Sequence, residues 1–373
     1  MAARGLHEGA SAVGQVIREH RKARGVTQKQ FAGELGVEAR TLRMYENGER
    51  TLENITDLRR IADLLAIDPV ELGLAARTAS VLSAQQIDAL VEQVASLMQQ
   101  ARLIEAQTMI ETLLCDLKKQ EQQNDAPFLR ALASVHYIAG QVGALTRKTR
   151  EIAQVIQHYQ EMAKLAQELE DQALLAQALA FHGDLLRRRG DVAQALGQLE
   201  KARVSCSLAG AHACGTVALL LGRAHLTNGD VGGFESELAQ AIEIAQEPEI
   251  NVDAVMAQFN LGVVYAEYAS GYGRLGKLEQ SQRYLHQAEA HLPGGNLWSL
   301  LLKATQAEAL VYAGDIPAAM PLLIEVAHLA QMSGHQLLVE RLYRLQYHLE
   351  DQVSLLRKAS RSLSDALYGP IGH

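Results

Sequence analysis

Small residues recur at matching positions in four consecutive segments of the chain, and this repetition limits the folds that the chain can adopt. The segments are 179–202, 219–241, 259–293 and 304–327, with the equivalent small residues Gly183, Gly222, Gly262 and Ala307. These positions are separated by 39, 40 and 45 residues. Small residues at fixed points let paired helices approach closely, so that stacked helical hairpins bury one continuous core. The repetition therefore predicts an all-α protein that contains an α-solenoid.

The repeats resemble degenerate tetratricopeptide repeats, although their spacing exceeds the usual period of about 34 residues. The extra residues predict longer helices or longer links between them. Two weaker hairpins precede the four repeats, at about 84–118 and 127–169, and the segment 336–368 reads as a final hairpin or a cap. We therefore expect a tetratricopeptide-like helical repeat domain over residues 84–373, responsible for effector binding and dimerisation.

Signals for short helices follow one another closely in residues 12–74, which lie before the repeats. The five predicted helices lie at about 13–24, 27–35, 38–46 and 54–66, with a short fifth after Asp68. Gly25 is a natural end for the first helix, and Thr27 with Gln30 forms a capping-box pattern for the second. Gly36 supplies a tight turn before the third helix. This arrangement predicts a helix-turn-helix domain, joined to the repeats by a linker at 75–83.

The runs TQKQFAGELGV, TLRMYENGER and LRRIADLLAIDPVEL carry a family resemblance. They are similar to the DNA-binding domain of the lambda-repressor/XRE type across nearly its whole length. The resemblance implies that the third helix enters the major groove of DNA. The residues that it implicates in DNA binding are Gln28, Lys29, Ala39, Arg40, Arg43, Met44, Asn47 and Arg50. A domain of this type that has lost DNA binding and contacts a protein instead is the alternative.

Side-chain chemistry distinguishes roles within this set. Arg40 is the leading base reader, because its planar guanidinium can donate to both O6 and N7 of guanine. Arg43 can do the same or bind phosphate, and Gln28 is placed at the edge of the groove. The expected backbone contacts, which position the domain without specifying sequence, are Lys29, Asn47 and Arg50.

Two acidic residues of the third helix have different expected effects. The resemblance implies a structural salt bridge between Arg21 and Glu46, so neither residue is assigned to DNA. Glu38 stands where the family usually has Ser or Thr at the start of this helix. We therefore expect a weaker helix cap and a carboxylate close to the DNA phosphates.

Charge is distributed unevenly along the 373 residues, whose formal net charge is −8. Residues 1–50 hold nine basic and six acidic residues, which leaves 26 basic and 37 acidic residues for the remainder. The first segment is therefore at +3 and the rest at −11. Because phosphate repels an acidic surface, contact with DNA is expected only at the N-terminal domain.

The repeat register assigns a second set of residues to the concave face of the solenoid. The residues expected to line it are Tyr137, Gln177, Asp184, Arg187, Arg188, Arg223, Met256, Phe259, Asn260 and Glu308. Amides can pair with the backbone of an extended peptide and arginine can bind a carboxylate. The groove as a whole, more than any single member, is the candidate effector site.

Several other classes of function lack a signal. The sequence contains no P-loop, GxGxxG, HExxH or nucleophile elbow, so we expect no enzyme and no cofactor. The three cysteines, Cys115, Cys206 and Cys214, match neither a disulfide framework nor a zinc-binding spacing. No signal peptide or membrane span is expected, and a cytoplasmic location follows as an expectation.

The order of the two domains resembles the RRNPP family of peptide-sensing, or quorum-sensing, transcription regulators. The resemblance implies a homodimer, double-stranded DNA as one partner, and a short signalling peptide or other small effector as another. Two alternatives stay open. In one, the helix-turn-helix head serves a scaffold whose repeats bind a protein partner; in the other, the chain is an interaction protein that does not bind DNA.

Overall fold

The computed structural model describes residues 4–35, 37–49, 58, 61–62, 64–65, 67, 82–118, 125–207, 209–247 and 259–368. All regular secondary structure in these residues is helical, which confirms the all-α prediction. The chain divides into two compact units, a head at Met1–Val81 and a body at Leu82–His373. The division falls inside the segment that the sequence assigns to a linker.

The head contains three helices that are described throughout their length or nearly so. They are α1 at Arg4–Ala23, α2 at Gln28–Leu35 and α3 at Ala39–Glu46. The first helix begins nine residues before its predicted start at 13, whereas α2 and α3 lie within one residue of their predicted starts. The described positions of the predicted fourth helix, 58, 61–62 and 64–65, are helical, and the predicted fifth lies outside the described residues.

Local signals fix the helix ends of the head as the sequence predicts. Gly25 adopts a φ of 67°, the left-handed conformation that ends α1. The Thr27 amide donates to Gln30 Oε1 at 3.0 Å, and the Gln30 amide donates to Thr27 Oγ1 at 3.3 Å, so the capping box is formed. Glu38 precedes α3 without a side-chain cap hydrogen bond. The buried core beneath these helices is Ile17, Phe31, Ala32, Leu35, Leu42, Leu58, Ile61, Ala62 and Leu65.

The body consists of successive helical hairpins in its described residues. Their helices are α4 (Ala84–Gln99) with α5 (Leu103–Leu117), α6 (Ala126–Thr146) with α7 (Ile152–Glu168), α8 (Gln172–Arg189) with α9 (Val192–Cys206), α10 (Ala211–Thr227) with α11 (Val231–Ala245), α12 (Leu261–Arg274) with α13 (Leu278–His291), and α14 (Asn296–Tyr312) with α15 (Ile316–Ser333). A short 3-10 helix, Thr149–Glu151, links α6 to α7. The last segment is one helix, α16 at Gln336–Tyr368, so it is a cap and not a hairpin.

Glycines in the first helices of the hairpins allow the close packing that the repeats require. A Cβ atom on Gly183 would lie 2.8 Å from Leu199 Cγ, and one on Gly262 would lie 2.7 Å from the Leu292 amide nitrogen. Gly222 leaves slightly more room, with 3.2 Å to Leu238 Cδ2. The recurrent small residues therefore serve the purpose inferred from the sequence.

Hydrogen bonds join the first repeats of the body to the last. The amide and hydroxyl of Thr149 donate to the two carboxylate oxygens of Glu340, at 2.8 and 2.6 Å. Asn296 Nδ2 donates to the carbonyl of Gln100 at 3.4 Å. Each pair joins residues more than 190 positions apart, so the two ends of the repeat array contact each other.

Candidate DNA interface and ligand cavity

Helix α3 presents cationic side chains on one exposed face. Ala39, Arg40 and Arg43 are exposed, and so is Lys29 on α2. Leu42, on the opposite side of α3, is fully buried in the core of the head. Within the described residues, no hydrogen bond or ion pair engages the side chains of Lys29, Arg40 or Arg43. Because they are exposed, these three cations are accessible to an external partner.

Other members of the predicted DNA-binding set take part in contacts inside the head. Gln28 Nε2 donates to Glu46 Oε2 at 2.7 Å. Asn47 accepts a hydrogen bond from Arg18 and donates to Glu49 Oε1 at 3.0 Å. Met44 is half-buried. Arg50 lies outside the described residues.

A buried ion pair connects α1 to α3. Arg21 Nε donates to Glu46 Oε1 at 2.5 Å and Arg21 Nη2 donates to Glu46 Oε2 at 3.0 Å. Burial acts to raise the pKa of Glu46, but hydrogen bonds from Arg21 and Gln28 and the charges of Arg21 and Arg18 hold that pKa below its ordinary value. The pair fixes the end of α3, which is the structural role that the sequence analysis assigned to it.

A cavity of about 570 Å³ lies inside the body. Its walls come mainly from the first helices of the hairpins. Thr149 and Tyr159 also line it, and α16 contributes Glu340, Arg341 and Arg344. Of the residues expected on the concave face, those that line the cavity are Gln177, Asp184, Arg187, Arg188, Arg223, Phe259, Asn260 and Glu308. Met256 lies outside the described residues. The repeat register thus brings together residues that are separated by more than 120 positions.

Tyr137 does not line this cavity, contrary to the sequence-based expectation. Its side chain is 1% exposed and packs in the core of the body, where its ring meets the edge of Phe181 with centroids 5.6 Å apart. Phe181 also stacks on Tyr159 at 5.5 Å. The repeat register placed Tyr137 on the correct helix but on the wrong face of it. The face of α6 that borders the cavity carries Ile138 and Gln141.

Arginines outnumber carboxylates on the cavity wall. Six arginines face four carboxylates, an excess of two positive charges inside a chain that is acidic overall. Asp184 lies 2.8 Å from Arg187 Nη2, and Glu267 accepts from Arg223 Nε at 2.6 Å. Burial acts to raise the pKa of Asp184, but the charges of Arg187, Arg223 and Arg188 hold it below its ordinary value.

Glu308 forms ion pairs with two further arginines of the cavity wall. It accepts a hydrogen bond from Arg341 on α16 and lies 3.7 Å from Arg274 Nε. Burial acts to raise its pKa, and the charges of Arg341 and Arg274 outweigh that effect, so the pKa is lowered. The repeat register did not predict Arg274, Arg341 or Arg344. The spacing of Arg341 and Arg344 on one face of α16 was the available signal.

Two donors on the cavity wall have no acceptor. Arg188 Nη1 donates to the carbonyl of Ala144 at 2.8 Å, but its Nη2 atom is buried without a partner. Gln141 Nε2 is likewise buried and unpaired, and Gln141 lies one helical turn before Ala144 on α6. A buried donor without an acceptor costs about 1–3 kcal/mol, and more when it is charged. An acceptor supplied by a ligand would remove this cost.

Two histidines on neighbouring helices of the body contact each other. His136 Nδ1 of α6 lies 3.1 Å from His158 Nδ1 of α7. Burial and the neighbouring His158 lower the pKa of His136 to about 4.

The cysteines form a local contact: Cys214 Sγ donates to the Cys206 carbonyl at 2.9 Å. No group of three metal-ligating side chains occurs in the described residues.

Comparison with known proteins assigns a class to the head. Residues 12–75 match the family model described as a helix-turn-helix domain. The helix-turn-helix resemblance is confirmed, and the match supports the broader prediction of a DNA-binding transcription regulator.

Among solved structures, the chain is similar to the crystal structure of Bacillus thuringiensis PlcR in complex with the peptide PapR7 and DNA. The two share 16% identity with a TM-score of 0.40, covering 75% of this chain and 94% of that chain. No curated protein matches the chain.

Among the described helices, none combines the length and the apolar character needed to span a membrane.

Proposed function

We propose that this protein is a sequence-specific transcription regulator whose DNA affinity is set by a small effector, a short signalling peptide, bound in the cavity of the body. The observation that carries the proposal is the exposed face of α3, where Arg40 and Arg43 lie on a helix-turn-helix head. Such a helix reads base edges in the major groove with side chains that are free to reach them.

The cavity supports an effector with a carboxylate. Ligand sites typically combine an apolar lining with a few placed polar groups in a volume of about 300–1,000 Å³. Here Leu297 and Trp298 supply apolar wall, and Gln177 supplies an amide that can pair with a peptide backbone. The surplus arginines and the two unpaired donors at Arg188 and Gln141 favour an acceptor with negative charge.

An effector changes DNA binding only if it prefers one arrangement of the protein over another. The charged residues of the cavity wall lie on α8, α10, α12, α14 and α16, so a ligand that bridges these helices alters their packing. In a homodimer, such a change would alter the placement of two heads on operator half-sites, which are spaced by whole turns of DNA. The homodimer is part of this proposal.

Selection of DNA sites from a random pool tests the DNA half of the proposal. The purified full chain should enrich one sequence, and binding should weaken with added salt because cationic side chains displace counterions from phosphate. Enrichment of no sequence would reject sequence-specific recognition.

Thermal shift with peptide pools tests the effector half. We expect random short peptides with a free C-terminal carboxylate to raise the melting temperature more than the same pool with amidated C-termini. Arg188→Met should weaken this response at least about tenfold in concentration, because a charge-assisted hydrogen bond is lost. Arg189→Met is the matched control, since Arg189 is exposed and pairs with Asp191. Equal responses of both pools, or of both variants, would contradict the carboxylate assignment.

A further inference from the structure

Two of the three cysteines in the chain meet at one turn of the body, where α9 ends and α10 begins. Cys206 is the last residue of α9, and Cys214 is the fourth residue of α10. Cys214 Sγ donates to the Cys206 carbonyl at 2.9 Å, while Cys206 Sγ donates to the Arg203 carbonyl at 3.2 Å. Both side chains pack against the same hydrophobic core. The turn therefore brings together two thiols that the function proposed above does not use.

Cys214 lies close enough to Cys206 to change the chemistry of its thiol. Burial is the main cause that raises the pKa of Cys206, and the hydrogen bond and charge of Cys214 raise that pKa further. In a strongly oxidising disulfide, by contrast, a stabilised thiolate favours the reduced state of the cysteine pair. Cys206 has no such net stabilisation of its thiolate. The fold therefore does not favour the reduced pair over a disulfide in this way.

The two thiols differ in their access to solvent. Cys206 is 5% exposed, whereas Cys214 is half-buried at the edge of the core. A small oxidant in solution therefore reaches Cys214 first, and Cys206 is the neighbouring thiol that can react next. Cysteines that respond to oxidants are typically accessible and have a second thiol close by.

We propose that Cys206 and Cys214 form a reversible intramolecular disulfide on exposure to a hydroperoxide, and that this bond changes the fit of the ligand cavity. The bond goes beyond the function proposed above, and only its consequence for effector binding rests on that function. The small and odd number of cysteines argues against a framework of structural disulfides, but one reversible bond needs a single pair.

The reaction has two steps and consumes one hydroperoxide. The deprotonated Cys214 sulfur attacks an oxygen of the hydroperoxide, so that an S–O bond forms, the O–O bond breaks, and the released alcoholate takes up the thiol proton. The Cys206 sulfur then loses its proton and attacks the Cys214 sulfur. An S–S bond forms, and the hydroxide that leaves takes up this proton to become water. Both sulfur atoms are oxidised, and the hydroperoxide is reduced to an alcohol and water.

The start of α10 packs directly on the wall of the ligand cavity. Gly215 follows Cys214, and a Cβ atom on Gly215 would lie 2.2 Å from the Phe259 ring. The ring of His212 meets the edge of Phe259, with centroids 5.8 Å apart. Phe259 is 3% exposed and lines the cavity. Because a disulfide holds its sulfur atoms about 2.0 Å apart, its formation shifts the start of α10, and the Phe259 ring has to move with it.

Oxidation of the full chain in a Cys115→Ser background tests the bond. Cys115 is exposed, and its replacement leaves only the proposed pair. After treatment with hydrogen peroxide, the remaining thiols are blocked with N-ethylmaleimide and the peptides are mapped by mass spectrometry. We expect the peptides of Cys206 and Cys214 to be joined, and dithiothreitol to separate them. Cys214→Ser, whose hydroxyl can still donate to the Cys206 carbonyl, should lose the joined peptides completely.

A redox titration measures whether the fold favours the bond. In glutathione buffers, the equilibrium constant for the disulfide should be at least about tenfold higher in the folded protein than in urea, because the unfolded chain has to close a loop. An equal constant under both conditions would overturn the proposal. So would free thiols at both positions after peroxide treatment, or a sulfinic acid at Cys214 without a disulfide.

Trp298, the only tryptophan of the chain, reports on the cavity. It lines the cavity and packs against the same cluster as Phe259. Oxidation should shift the emission maximum of Trp298 in the Cys115→Ser protein, and dithiothreitol should restore it. The same background with Cys214→Ser should show no shift. Unchanged emission in the first protein, or an equal shift in both, would overturn the link between the disulfide and the cavity.

Neither measurement involves DNA or a peptide, so the two proposals fail in different ways. If the function proposed above were wrong, the disulfide would still form and the emission of Trp298 would still shift, while the chain enriched no DNA site and responded to no peptide pool. Failure of the disulfide would leave both of those responses intact.

Discussion

Glu46 joins helix α3 to the two other described helices of the head, α1 and α2. Its carboxylate accepts from Arg21 on α1 and from Gln28 on α2, and the side chain is completely buried. A carboxylate in such a position is stable only while its donors remain in place, because an unpaired buried charge is strongly unfavourable. The residue therefore holds α3 in place against α1 and α2.

Replacing Glu46 with Gln should destabilise the head by about 3 kcal/mol, because Arg21 is left buried without a counter-charge. The lowered pKa of Glu46 adds a pH signature. Its stabilising contribution is present above the unfolded pKa near 4.5 and is lost as the pH falls through the lower folded value. Urea unfolding of wild type and Glu46→Gln at several pH values measures both effects. Glu19→Gln, at an exposed site on α1, should change little.

Arg40 and Arg43 should contribute to DNA binding in separable ways. Arg40→Ala should cost about 1–3 kcal/mol and relax the preference at one base position if Arg40 reads guanine. A phosphate contact at Arg43 would instead weaken binding to all sequences and reduce the salt dependence. Fluorescence anisotropy with the selected site and single-base variants distinguishes these roles. Arg150→Ala removes the same charge from an exposed site of the body, and an equal loss there would contradict a specific role for α3.

At the scale of helices, close approach depends on the absence of side chains at particular glycines. A Cβ atom on Gly271 of α12 would lie 2.2 Å from the ring of Phe234, which is fully buried on α11. The ring cannot move into solvent, so the two helices would have to separate. By contrast, a Cβ atom on Gly197 of α9 would meet nothing within 4 Å.

Gly271→Ala should therefore destabilise the body by about 1–3 kcal/mol through overpacking. Gly197→Ala should stabilise it by about 0.5–1 kcal/mol, because alanine loses less backbone freedom in a helix than glycine does. Thermal and urea unfolding of the two variants measure these opposite shifts. A stabilising Gly271→Ala substitution would show that the α11 and α12 packing tolerates a wider separation.

At the scale of the whole molecule, buried histidines make the body sensitive to acid. The pKa of His136 is lowered to about 4 by burial and by His158, and that of His335 is lowered to about 3 by burial and by the charge of Arg341. A histidine in the unfolded chain titrates near 6.5. Between these values the unfolded chain binds more protons, so stability falls as the pH is lowered through this range.

His136→Gln should reduce this dependence by up to about 1.4 kcal/mol per pH unit between pH 6.5 and 4, which corresponds to one proton. Urea unfolding midpoints at pH 7 and pH 5 provide the measurement. His286→Gln is the control at an exposed position, and it should retain the wild-type pH dependence. An unchanged slope in His136→Gln would mean that other groups carry the acid sensitivity.

Local signals in the sequence predicted most of the helices and hairpins, although not the start of α1. Gly25, the Thr27 and Gln30 capping box, and the recurrent small residues act through neighbours in the chain or through a repeated register, so their consequences can be read without coordinates. The register also identified eight residues of the cavity wall, including Asp184 and Glu308. The assignments to DNA and to effector binding stay predictions until they are tested.

Only the tertiary structure decided how distant side chains combine. The turn of α6 that buries Tyr137 and exposes Gln141 to the cavity depends on how that helix is rotated against α7 and α8. Distances across several repeats determine which arginines pair with a carboxylate. They also leave one donor of Arg188 without an acceptor. A periodic sequence specifies which face of a helix is apolar, whereas stacking of all the repeats sets the position of that face to within the few ångströms that determine hydrogen bonds and ion pairs.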